Sequence, residues 1–186
     1  MCRLVLAATV LSSVTLLSAC SQPPDKERGQ AEGAIAAARA ASAEVYAADE
    51  LLAAEEALSR YDDAVAQKDY RQALNAALDA RDRGYEAVKR ASTAKADARG
   101  QAERLVVALD GLATTINNRI VSTTTPRLTA AAAQRLREAV AASASALQEA
   151  RTAIDDGQYP VAITRLEAAL AELQKEFDAV ARRDRE

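Results

Sequence analysis

Histidine and tryptophan are absent from the 186 residues, and phenylalanine and methionine occur once each. Without an imidazole there is no Ser-His-Asp triad, no His-based metal site and no side chain that titrates unperturbed near neutral pH. Two cysteines leave little room for a disulfide framework, and 6 glycines and 4 prolines rarely interrupt the chain. Charge of one sign is also missing. With 24 basic against 27 acidic residues the net charge is -3, which lacks the basic stripe that a nucleic-acid partner requires. What is abundant is alanine, at 47 residues roughly half of the hydrophobic class. Alanine is the strongest helix former and buries little area per side chain. An all-α chain with closely approaching helices is the expectation, and no segment alternates as a strand would.

The N-terminus reads as an export signal over residues 1–19. Arg3 is its lone charge, Leu4 to Leu17 is apolar, and the small residues Ser18 and Ala19 come next. A transmembrane helix needs about 20 apolar residues, so this run is short for a span. Leu17-Ser18-Ala19-Cys20 resembles the lipobox of bacterial lipoproteins, Leu-small-small-Cys. That resemblance implies cleavage before Cys20 and acylation of its sulfur and new amino group, palmitate being one such acyl chain. Several chains anchor a protein stably where one does not. Ser21 comes after the cysteine, and in that family a residue other than Asp at this position goes with sorting to the outer membrane. The resemblance therefore implies attachment to the outer membrane, with the body on its periplasmic side. Loss of the signal removes Arg3 and leaves 23 basic against 27 acidic residues, or -4.

Residues 20–29 are expected to hold the lipidated cysteine and a polar tether, stiffened by Pro23 and Pro24. A helical domain is expected over 30–120. Ala31, Ile35, Ala38, Ser42 and Val45 line one face, and Tyr46-Ala47-Ala48 marks a break with Asp49 as candidate N-cap. Leu51, Leu58 and Val65 recur every seven residues. After a second break at Lys68-Asp69, Tyr70 opens a helix with Leu74, Leu78, Tyr85 and Val88 as its seam. This continues through Ala91, Ala94, Ala98 and Ala102 to Leu105, Leu109, Leu112, Ile116 and Ile120. The stretch 70–120 reads either as one helix or as two with a kink near Gly100.

Residues 121–128, with β-branched threonines and Pro126, read as a loop, and Thr129 as the N-cap of the next helix. Over 129–184, Leu136, Val140, Ser143, Leu147, Ala150 and Ile154 step by alternating fours and threes. So do Ile163, Leu166, Leu170, Leu173, Phe177 and Val180, after a break at Asp155-Asp156-Gly157. Two heptad seams joined by a glycine turn predict an antiparallel coiled-coil-like hairpin. The fold expected is an elongated all-α bundle of four to five helices ending in that hairpin. Its halves form either one bundle or two hairpins.

Two turns look alike. Lys68-Asp69-Tyr70-Arg71-Gln72-Ala73 and Gly157-Gln158-Tyr159-Pro160-Val161-Ala162 share a polar turn, a tyrosine and an alanine three positions later. This start is similar to the second helix of a tetratricopeptide repeat, although the first-helix signature is missing upstream and the spacing is not that of a solenoid. A broader resemblance covers Ala31 to about Ala98. Ala36 to Ala41, Val45-Tyr46-Ala47, Glu50-Leu51, Ala57-Leu58 and Lys68-Asp69-Tyr70 resemble a family of Ala-rich helical domains of unknown function in bacterial envelope lipoproteins. Some members sit beside OmpA-like peptidoglycan-binding domains. The resemblance implies an envelope domain and supplies no catalytic residues.

Chemistry-bearing sets are sparse. Glu55 and Asp62 share a helix face, as do Asp79 and Asp82, but no histidine accompanies them and no loop has EF-hand spacing. Solvated helix faces are the expected setting. The lysines that could serve a serine nucleophile, Lys26, Lys68, Lys89, Lys95 and Lys175, fall at exposed positions of the pattern. No catalytic residue, metal or cofactor is expected. Tyr46, Tyr70 and Tyr85 are the candidate partner-binding residues, since aromatics concentrate at binding hot spots. The function expected is that of a non-catalytic scaffold or docking lipoprotein with an envelope protein partner. Peptidoglycan binding is the alternative, and self-association along the alanine seams remains open.

Overall fold

The computed structural model describes residues 22–122 and 128–183, in which there are six α-helices and no strand. They are α1 (Asp25–Ala40), α2 (Ala43–Tyr46), α3 (Ala48–Ala66), α4 (Tyr70–Val121), α5 (Ala130–Asp155) and α6 (Tyr159–Arg183). The count exceeds the expected four or five because the single turn α2 intervenes between α1 and α3. Ser42, at φ 65, ends α1 in the left-handed region, and Ala47, at φ -154 and ψ 48, ends α2. Asp49 is therefore not an N-cap. Ala47 takes that place without a side-chain bond, and Asp49 lies in the first turn of α3, where its charge suits the helix dipole.

The stretch 70–120 is one helix, α4, ending at Val121. The chain divides into two compact units at Ala94 and Lys95, inside α4 rather than at the 121–128 loop. No proline interrupts α4, so an unbroken helix contributes its first part to one unit and its second part to the other. Residues 123–127 of the expected loop lie outside the described residues.

In the first unit α1, α3 and the start of α4 pack through alanine. Ala31, Ala34, Ile35 and Ala38 of α1 are buried, as are Leu51, Ala54, Ala57, Tyr61 and Ala64 of α3. On α4 the buried residues are Ala73, Ala76, Ala77, Ala80, Ala87 and Ala91. This seam is offset from the expected one. Leu74, Leu78 and Val88 are only half-buried, and Tyr85 is 57% exposed. Gly84 gives the reason. A methyl group there would meet Ala34 Cβ at 2.8 Å and the Ala34 carbonyl carbon at 3.0 Å. The backbones of α1 and α4 approach too closely for leucine, so the leucines flank the contact. Val45, expected on the buried face, is 64% exposed because the turn at Ser42 takes it off the register of α1.

The second unit is leucine-rich. Leu109 and Ile116 of α4, Leu136 of α5 and Leu166 and Leu173 of α6 are the largest fully buried side chains. The buried positions recur every seven residues, as Ala102, Leu109, Ile116, then Leu136, Ser143, Ala150, then Leu166, Leu173, Val180. Val140, Leu147, Ile154, Ile163, Leu170 and Phe177 pack at their edge. Ser143 is the buried polar member, and its hydroxyl donates to the Val140 carbonyl at 2.8 Å. Thr129 caps α5 as expected, its hydroxyl accepting from the Ala132 amide at 3.2 Å.

Candidate functional site

The candidate lipobox residues Leu17, Ser18 and Ala19 and the acylation candidate Cys20 lie outside the described residues. The chain is described from Gln22 onward. Pro23 and Pro24 lead directly into α1 at Asp25, so residues 25–29, expected to be tether, are helical. Asp25 and Glu27 occupy the first turn, where acids favour a helix start. The stretch left between Cys20 and α1 is four residues, which reaches at most about 18 Å.

The three candidate tyrosines are not brought together. Tyr46 is half-buried against the core formed by Ile35, Leu51 and Ala87. Tyr70 opens α4 and lies across the length of α3 from it, 19 residues or about 28 Å of helix. Tyr85 is exposed on α4, which runs back alongside α3, and lies fifteen residues or about 22 Å along that helix from Tyr70. A single aromatic groove is therefore not formed. Tyr70 joins an open groove of about 640 Å³ lined by Gln22, Pro24, Lys68, Asp69, Arg71 and Leu74 among others.

That groove lies at a turn with a specific backbone. The Lys68 amide donates to the Val65 carbonyl at 2.9 Å and the Asp69 amide to the Ala64 carbonyl at 2.9 Å. These bonds form a Schellman motif, with Lys68 in the left-handed region at φ 60. Asp69 then caps α4, its carboxylate accepting from the Gln72 amide at 2.9 Å. The second of the two similar turns repeats this geometry. Gly157, at φ 73, donates to Ile154 at 3.0 Å and Gln158 to Ala153 at 2.7 Å. Glycine adopts this conformation freely, whereas another residue pays about 1 kcal/mol or more. Lysine at 68 is thus a choice against local preference, and nothing in the sequence distinguishes it from an ordinary surface lysine.

The carboxylates singled out from spacing all meet arginines. Glu55 pairs with Arg39 at 2.6 Å, Asp62 with Arg28 at 3.6 Å, and Asp79 with Arg60 at 2.7 Å and Arg83 at 2.9 Å. Asp82 accepts from Arg81 at 2.8 Å. These pairs are solvent-exposed, where each contributes about 0–1 kcal/mol, and several latch neighbouring helices. Among the described residues no three of Asp, Glu, Cys and His gather as a metal-binding set. No described helix is long and apolar enough to cross a membrane.

Tyr61 has a specific electrostatic setting. It is 2% exposed, its hydroxyl donates to Asp25 Oδ1 at 3.4 Å, and the Arg28 guanidinium lies 5.8 Å from the ring centre. Burial, followed by the charge and hydrogen bond of Asp25, pushes its hydroxyl above the usual tyrosine value. It ties α3 to the first turn of α1. Its spacing marks it as core, so the sequence carries no functional signal for it. Compared with family models, curated proteins and solved structures, the chain matches none.

Proposed function

We propose that this chain is a non-catalytic, lipid-anchored helical scaffold or docking protein of the bacterial outer membrane, its body on the periplasmic side. The observation that carries the reading is Leu17-Ser18-Ala19-Cys20 at the end of a short apolar run. The start of α1 at Asp25 supports it, since a folded body so soon after Cys20 suits a protein held at a surface. Some of the charged residues latch helices to one another, as Arg39 does with Glu55 and Arg60 with Asp79, which suits a structural body. The finer architecture is an antiparallel coiled-coil-like hairpin of α5 and α6. The seven-residue recurrence of Leu136, Ser143 and Ala150 against Leu166, Leu173 and Val180 supports it, as does the pairing of Glu149 with Arg165 across the two helices.

Capture of the acylated protein from detergent-solubilised envelopes, beside sedimentation with purified peptidoglycan, tests the function. Recovery of a stoichiometric envelope protein is the expected result. Saturable sedimentation with peptidoglycan and no protein partner would replace this reading with wall binding.

A further inference from the structure

We infer that the groove at the α3–α4 turn seats on the phospholipid headgroups of the membrane that holds Cys20. This rests on the lipoprotein reading and adds to it a defined contact face. Gln22 and Pro24 line the groove, and Cys20 precedes Gln22 by two residues. Two residues span at most about 7 Å, so acyl chains on Cys20 would bring the bilayer surface to the groove itself.

The residues there suit that neighbour. Tyr70 is half-buried, with an apolar ring and a polar tip, the type of side chain enriched at the membrane–water boundary. Lys68 and Arg71 are exposed and take part in no ion pair among the described residues. The one acid of the turn, Asp69, also lines the groove; its carboxylate caps α4, accepting from the Gln72 amide, and the two cations outnumber it. Lysine occupies the left-handed position, where the equivalent turn of the second unit has Gly157. That second turn has the same backbone but opposite charge, with Asp155 and Asp156 before its glycine and no basic residue. The cationic character therefore does not come from the turn geometry. It is specific to the turn beside the anchor, and long cationic side chains reach headgroups while their stems lie on apolar surface.

The absence of tryptophan makes the test direct. Tyr70→Trp and Tyr85→Trp each introduce a lone indole, the second about 22 Å along α4 from the first. Each protein, acylated and purified from membranes, is placed in phosphatidylethanolamine/phosphatidylglycerol vesicles containing brominated lipid. Quenching of the Tyr70→Trp protein but not of Tyr85→Trp is expected. Adding Lys68→Glu and Arg71→Glu should lower the docked fraction by roughly tenfold or more in these anionic vesicles. Equal quenching of both proteins, quenching of neither, or quenching indifferent to the charge reversal would overturn the proposal. Acylation is read separately from the intact mass. If Cys20 is not acylated in the cell, the lipoprotein reading fails on its own. The groove is then still tested by coupling the Cys20 thiol of the chain from residue 20, which retains every residue buried among the described ones, to a maleimide lipid.

Discussion

Single residues decide how the first unit is closed. Tyr61 is buried among alanines and reaches Asp25 at the start of α1, so its neutral form is the one that fits. A raised value in the folded state means that its contribution to stability is complete below about pH 10, where an unfolded tyrosine begins to ionise. That contribution is lost as pH climbs through the folded value. Spectrophotometric titration of the 5 tyrosines should show one phenol ionising late, together with loss of helicity. In Tyr61→Phe the late step should vanish. Five phenols titrating as one group, with helicity unaffected, would contradict this placement.

Between elements, the close crossing of α1 and α4 is the feature that alanine makes possible. Gly84→Ala would ordinarily favour a helix by about 1 kcal/mol, yet its new methyl meets backbone of α1 at 3.0 and 3.1 Å. A net destabilisation of about 1–3 kcal/mol is expected from the overpacked contact. Gly111→Ala, with open space around it, should stabilise by roughly 0.5–1 kcal/mol. Urea unfolding of the two variants reads this directly, and equal effects at both positions would remove the case for a tight crossing. The same contact explains what could be read from sequence. In α5 and α6 bulky residues fill the core, so leucine spacing locates it. In the first part of α4 leucine spacing points one residue away, because Ala73, Ala77 and Ala80 are buried where only small side chains fit. The similarity of the two turns is visible in their residues and corresponds to one backbone motif. The left-handed Lys68 is not visible, since lysine carries no signal for that conformation. The resemblance of Leu17-Ser18-Ala19-Cys20 to a lipobox needs no fold to be seen, whereas the groove combines Pro24 with Lys68 and Tyr70, distant in sequence and joined only by folding.

At the scale of the molecule, the two units solve the same problem with different materials. Each is built from helices that include part of α4. One is sealed mainly by methyl groups, while all of the largest fully buried side chains lie in the other. Alanine abundance therefore marks close helix approach in the first unit rather than a deficient core. The missing histidine has no substitute in Glu55, Asp62 or Asp79, whose carboxylates are committed to arginines. Anchoring and binding are the functions proposed for this body, and the anchoring proposal rests on one residue. Intact-mass analysis of the protein extracted from bacterial membranes tests it most directly. We expect a chain beginning at Cys20 that carries a diacylglyceryl group and an amide-linked acyl chain, and a Cys20→Ala variant that is neither cleaved there nor modified. An unmodified cysteine, or a mature terminus elsewhere, would contradict the account.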